Sequence, residues 1–214
     1  MSSQPPPRRR RRKEARPKEI LAAALTVFTE RGFAATRVDD VASRAGVTKG
    51  TVYLYFPTKE ELFKAVIRDA LFPVIHAVEQ HIAEAAGSTC AADLLRYIVQ
   101  VFPSLAGTPA GAVIKLVIAE GGNFPDIASF YTTEVIRRMR KVLAAIIDGG
   151  VARGEFRPVE APAAIMCLFG PAALTLLWQH SFAPYDDTPI DMESVCRTLS
   201  EVFIGGMLRR DGEP

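Results

Sequence analysis

Residues 36–57 constrain this chain more than any other stretch, because two short apolar-patterned runs flank a single glycine. Val38, Val41, Ala42 and Ala45 repeat at three- and four-residue spacings and make one face of a short helix. Thr36 is the expected N-cap, and Asp39 and Asp40 fall in the first turn, where carboxylates favour the helix dipole. Gly46 ends this run and permits the positive φ of a tight turn. Thr48 then caps a next helix from Lys49 to about Phe56, and Pro57 stops it. Ala42 is small enough for the second helix to cross close by, while Val47 and Val52 are placed to bury. Two short helices joined by a turn of about four residues that contains Gly make a helix-turn-helix. The same pattern also suits three packed helices with no DNA to bind.

Charge separates these readings. The chain has 214 residues and a net charge of only +2, yet residues 1–60 hold thirteen Lys/Arg against six Asp/Glu, a net +7. Residues 61–214 hold thirteen against eighteen, a net −5. Affinity for DNA comes largely from neutralised phosphates, so the basic end is the one expected to face it. Residues 1–16 carry Arg8, Arg9, Arg10, Arg11, Arg12, Lys13 and Arg16 against Glu14 alone, after Pro5-Pro6-Pro7. Nothing there builds a core, so a disordered basic arm is expected over 1–16. Pro17 suits a first helical position, and Ile20, Leu21, Ala24, Leu25 and Phe28 form the face of a helix that ends at Gly32. After Pro57, Thr58-Lys59-Glu60-Glu61 reads as a capping box opening a fourth helix, which Pro73 should end or kink.

The run Gly32-Phe33-Ala34-Ala35-Thr36-Arg37-Val38-Asp39-Asp40-Val41-Ala42-Ser43-Arg44-Ala45-Gly46-Val47-Thr48-Lys49-Gly50-Thr51-Val52-Tyr53-Leu54-Tyr55-Phe56-Pro57-Thr58-Lys59-Glu60-Glu61-Leu62 closely resembles the signature of the TetR/AcrR family of transcriptional regulators. The resemblance covers about residues 17–65. It implies an all-α protein with an N-terminal three-helix DNA-binding domain at 17–60. A larger C-terminal helical domain, at 61–210, would dimerise and bind an effector. Most such proteins repress genes and leave a palindromic operator when a small molecule binds.

The matched positions also have chemistry of their own. Thr48 and Lys49 open the recognition helix, where free N–H groups and the positive dipole end favour phosphate. Lys49 adds a mobile ammonium, Gly50 lets DNA come close, and Thr51 can reach a base edge or phosphate. The family resemblance implies that the Tyr53 and Tyr55 rings approach the sugar-phosphate backbone. Arg37 and Lys59 are phosphate candidates, and Arg44 could reach a base. Arg8–Arg12 either enter the minor groove beside each half-site or form a tail that adds nonspecific affinity.

The rest of the chain matches no comparably fixed motif. Periodicity predicts helices at about Ala91–Leu105, Pro109–Glu120, Pro125–Ala152, Ala161–Ser181 and Thr188–Leu208, the last capped by Thr188. The resemblance implies that the final two pair across a two-fold axis in a homodimer. Double-stranded DNA with two half-sites about one helical turn apart also calls for two recognition helices. An apolar or aromatic effector is expected, with Phe102, Glu120, Phe130, Glu134, Met166 and Trp178 as candidate lining residues.

Cys90, Cys167 and Cys196 lack metal or disulfide spacing; Cys167 and Cys196 read as buried small hydrophobes. His76, His81 and His180 show no ligand pattern, so no metal and no cofactor is expected. The apolar run from Ala161 approaches a membrane span in length, but prolines at 162 and 171 and the lack of basic flanks favour a buried helix. Without a secretory signal the expected location is the cytoplasm. No phosphate loop, G-x-S-x-G or H-E-x-x-H suggests an enzyme. An effector-independent activator or architectural DNA-binding protein remains the alternative.

Overall fold

The computed structural model describes residues 8–85, 87–188 and 190–209, with side chains from Arg16 onward. Eleven α-helices follow in chain order: α1 Arg8–Ala35, α2 Val38–Arg44, α3 Lys49–Tyr55, α4 Lys59–Ala85, α5 Ala91–Leu105, α6 Pro109–Glu120, α7 Pro125–Tyr131, α8 Arg137–Ala152, α9 Ala161–Ser181, α10 Met192–Leu199 and α11 Gly205–Met207. Among the described residues there is no β-strand, only a single bridge between Phe156 and Leu208.

The all-α expectation holds, and α5, α6 and α9 have the expected bounds. Three termini differ. Helix α1 begins at Arg8 and runs through Pro17, so residues 8–16 are helical rather than a disordered arm; residues 1–7 lie outside the described residues. Arg, Lys, Glu and Ala are strong helix formers, and Pro17 removes only one hydrogen bond from a long helix. Helix α4 likewise continues through Pro73. The carbonyl that Pro73 leaves free belongs to the exposed Asp69, where water can satisfy it, while Leu71, Ile75 and Val78 hold the helix to the core. The last long segment starts at Met192, capped by Asp191, whose carboxylate accepts from the Glu193 and Ser194 amides at 3.2 and 3.0 Å. Thr188 is not that cap, because its amide and hydroxyl both donate to Asp186 at 2.9 Å.

The expected helix over 125–152 is present but contains a π-turn, Thr132–Ile136, between α7 and α8. A second π-turn, Ser200–Ile204, joins α10 to α11.

Gly32 breaks α1 with φ 78° and ψ 166°. The short piece beyond it turns into α2. Thr36 is buried there, and its hydroxyl donates back to the Gly32 carbonyl at 2.7 Å. It is therefore not the N-cap of α2; Arg37 occupies that position without a side-chain bond. The break leaves α1 carbonyls without helical donors, and Thr36 satisfies one of them.

The core is continuous from end to end. Phe28, Phe33 and Phe63 are fully buried, with ring centroids 4.9 Å apart for Phe28–Phe63 and 5.1 Å for Phe33–Phe63. Phe124, just after α6, meets Phe33 edge-on at 4.6 Å. Helix α4 begins under the N-terminal unit and ends among α5 and α8, so an expected boundary after residue 60 falls just inside it.

Helix α9 is long and apolar enough to cross a membrane, but 39% of that stretch is buried inside the protein. Its other side is open: Met166 and Leu174 are 57% and 61% exposed, and Cys167 is exposed rather than packed. Cys196 is buried as expected, and Cys90 is exposed.

Candidate DNA interface and effector cavity

Helix α3 is set by its cap. Thr48 has extended backbone geometry, and its hydroxyl oxygen accepts from the Thr51 amide at 3.2 Å. The Thr48 and Thr51 hydroxyls are also 2.9 Å apart. Gly46, with φ 63°, makes the turn before it. Val52 is buried against α2, which leaves the opposite side of α3 in water. Thr48, Lys49, Gly50, Tyr53 and Leu54 are exposed, while Thr51 and Tyr55 are half-buried.

Leu54 was missed by the sequence reading. It is 76% exposed, a large apolar side chain standing in water at the middle of the recognition helix. Its position about 200° around the helix from buried Val52 was the available signal.

The cations around α3 are partly engaged. Lys49 donates to Asp39 at 2.8 Å, and that bond raises its pKa above the usual lysine value. Arg44 pairs with Glu30 at 3.2 Å, and Arg31 with Asp40 at 2.8 Å. Arg37 is exposed at the start of α2. These are exposed pairs of small worth, so phosphate can compete for the cations.

Lys59 differs from the expectation. Its ammonium donates to the carbonyls of Phe33, Ala34 and Thr36 at 2.9, 3.2 and 3.2 Å and sits 4.4 Å above the Phe33 ring. All three donors are spent on the end of α1. Lys59 is therefore a brace between α4 and the α1–α2 turn rather than an open phosphate ligand.

A cavity of about 340 Å³ lies between α4, α5, α6, α8 and α9. Leu71, Ile75 and Val78 form one wall, Ile98, Phe102 and Leu105 a second, and Ile114 and Ile118 of α6 a third. Val135, Met139, Leu143, Ile165, Met166 and Phe169 complete it. Phe102 meets Phe169 edge-on at 5.3 Å. Two polar groups interrupt this lining, Tyr131 and Arg140. Burial pushes the Tyr131 hydroxyl up to about 12, so it stays a neutral O–H donor. Arg140 is exposed, its guanidinium 3.7 Å from the Met166 sulfur.

Of the candidate lining residues, Phe102 and Met166 line this cavity and four do not. Phe130 lies beneath Arg68 and Lys64, at 4.5 and 6.0 Å from its ring centre. Trp178 donates its indole N–H to Asp186 at 3.0 Å. Glu134 is exposed on the π-turn. Glu120, at the end of α6, accepts from the amides of Phe33 and Ala34 at 2.9 and 3.4 Å. Helical period puts these residues on apolar neighbours but does not say which neighbour encloses space.

A larger and more polar cleft of about 870 Å³ lies between the end of α4, the start of α5 and α8. Most of its charges are already paired, Lys141 being the exception among the described residues. Arg138 grips Glu79 with two hydrogen bonds and lowers the Glu79 pKa; Arg153 pairs with Glu155 at 2.7 Å. The apolar cavity is therefore the better ligand site.

A capped recognition helix in a helix-turn-helix, set below a helical body with an apolar cavity, defines a one-component DNA-binding sensor. The comparisons agree. Residues 20–66 match the family "Bacterial regulatory proteins, tetR family", and residues 84–192 match "Tetracyclin repressor-like, C-terminal domain". The chain belongs to the TetR family of transcriptional regulators. It is 26% identical to the fatty acid metabolism regulator protein of Bacillus subtilis, over 91% of this chain and 97% of that protein. It is 28% identical to the HTH-type transcriptional repressor KstR2 of Mycolicibacterium smegmatis, over 93% and 94%. The crystal structure of FadR from Bacillus subtilis in complex with stearoyl-CoA superposes with TM-score 0.74 at 23% identity, covering 89% of this chain and 98% of that one.

Proposed function

We propose that this regulator is a repressor released from a palindromic operator by an amphiphile with a long apolar chain and an anionic head, of the acyl-CoA type. The observation that carries this reading is the cavity itself, apolar on nearly all sides with Arg140 at its edge. Burying an alkyl chain there supplies about 0.8 kcal/mol per CH₂, and the guanidinium suits phosphate or carboxylate. The stearoyl-CoA held by FadR supports the same class.

Arg37, Arg44, Thr48, Lys49, Gly50, Thr51, Tyr53 and Tyr55 form the proposed DNA-facing set, with Leu54 added as a contact for a thymine methyl. Arg8–Arg12 extend the basic end, their side chains lying outside the described residues. The DNA-binding unit spans about 17–60 and the effector and dimerisation unit about 61–210. A second copy covers the open face of α9 and the π-turn after α10, where Met166, Leu174 and Val202 are exposed. The protein acts in the cytoplasm as a regulator and not as an enzyme.

The signal passes through α6. Ile114 and Ile118 touch the cavity, and Glu120 at its far end holds the α1–α2 turn. A ligand that shifts α6 therefore moves the turn that orients α2 and α3.

The test uses a DNA duplex selected by the full-length protein from a random pool. Stearoyl-CoA should release it at concentrations where free CoA does not, and Arg140→Glu should raise the concentration needed. Release by neither, or equal release by both, overturns the effector class. Failure to enrich a palindrome overturns the operator reading, and a monomer by light scattering overturns the dimer.

A further inference from the structure

Two polar groups line the apolar cavity, and the amphiphile reading above uses one of them, Arg140. Tyr131 is left over. Its side chain lines the cavity, and its hydroxyl makes no hydrogen bond among the described residues. Burial pushes it up to about 12, with no partner contributing. Tyr131 is half-buried, so water can reach its hydroxyl in the ligand-free protein. An apolar occupant that displaces this water leaves the donor unpaired, at a cost.

The π-turn Thr132–Ile136 explains how Tyr131 comes to face the cavity. In a continuous α-helix, residues nine apart such as Tyr131 and Arg140 point in opposite directions, about 180° apart. A π-turn absorbs one extra residue and brings the separation to about 80°. Both side chains then reach one chamber. With one residue absorbed in the π-turn they stand about 12 Å apart along the axis, from about eight steps of 1.5 Å.

We propose that the effector carries a hydrogen-bonding oxygen, hydroxyl or carbonyl, on its apolar body about a dozen ångströms from its anionic head, and that Tyr131 reads this oxygen. The inference rests on the amphiphile reading and adds a second polar point to it. An all-hydrocarbon chain fills the same space but leaves the phenol unpaired. A site with an unpaired buried donor discriminates against such an analogue more strongly than an apolar wall discriminates between chain lengths.

The probes are decanoate and 10-hydroxydecanoate, whose carboxylate and hydroxyl stand about a dozen ångströms apart along the extended chain, titrated calorimetrically into the full-length protein. The wild type should bind the hydroxylated acid about tenfold more tightly. Tyr131→Phe should make the two affinities equal by weakening only the hydroxylated one. Arg140→Gln should weaken both by the same factor. The melting temperature of ligand-free Tyr131→Phe should equal or exceed that of the wild type, since no protein partner is lost. Equal wild-type affinities, an unchanged preference in Tyr131→Phe, or a lowered ligand-free melting temperature each overturn the assignment. If neither acid binds while stearoyl-CoA does, the assignment is overturned; if stearoyl-CoA also fails to bind, the amphiphile reading itself fails and the role of Tyr131 falls with it. Binding of both without discrimination leaves that reading standing and removes Tyr131 alone.

Discussion

Glu120 offers the sharpest test of how the two units communicate. Its carboxylate accepts from the Phe33 amide at 2.9 Å and from the Ala34 amide at 3.4 Å, across 87 and 86 residues of sequence. Glu120→Ala removes both acceptors and leaves the amide of buried Phe33 without a partner. A hydrogen bond to a charged group is worth about 1.5–3 kcal/mol, and partial exposure of Glu120 reduces this. The second bond is long and exposed and adds little. We expect a loss of about 2 kcal/mol in unfolding free energy. The functional effect should be larger than this loss implies. Coupling between sites is typically about 1–3 kcal/mol, and the proposed relay through α6 routes it through this contact. In fluorescence anisotropy, stearoyl-CoA should weaken wild-type DNA binding by at least about tenfold. In Glu120→Ala the ratio of affinities with and without stearoyl-CoA should fall towards one. Affinity for stearoyl-CoA itself should change little, because Glu120 lies outside the cavity. An unchanged ratio in a folded variant would refute the relay through α6, whatever happened to stability.

Further expectations concern the same region and the far end of the cavity domain. Gly32→Ala should destabilise by at least about 1–2 kcal/mol in chemical denaturation, since a Cβ would sit at φ 78° and only 3.0 Å from the Glu120 carboxylate. Lys59→Gln should lower the melting temperature but leave the salt slope of DNA binding unchanged, because its donors are spent on carbonyls. Lys49→Ala should instead reduce that slope by about one; equal slopes for the two variants would refute the distinction. His180 has its pKa lowered by burial, and nothing accepts from or donates to its buried Nε2 among the described residues. With the folded pKa below the unfolded one, the unfolded chain binds the proton first. Its contribution is therefore present above about pH 6.5 and is lost as pH falls towards the folded pKa. His180→Phe should flatten the melting temperature over that window, and an unaltered pH profile would dismiss the histidine.

How much was legible in the sequence depended on whether the cause was local. The Thr48 cap, the Gly46 turn and the helical bounds at Ala91–Leu105 and Pro109–Glu120 depend on neighbours a few residues away, and a linear pattern records those. The recognition helix followed for the same reason, although Leu54 on its exposed face did not. Lys59 and Glu120 were misjudged because their partners are remote in sequence. Lys59 looked like a phosphate ligand because it is a cation near DNA, and Glu120 like a pocket acid because it ends an apolar helix. Each instead satisfies backbone groups that Gly32 freed by breaking α1. The cavity was legible as a composition but not as a space. Phe102 and Met166 line it and Phe130 and Trp178 do not, since enclosure depends on how five helices leave a gap between them. Tyr131 faces that gap because a π-turn rewound the helix behind it, a choice no local pattern announced. Residue types and short-range spacing determined the all-α class, the DNA-binding end and the family. Only the tertiary structure decided which charges are braces and where an apolar cavity opens, because those outcomes are set by partners that chain distance does not predict.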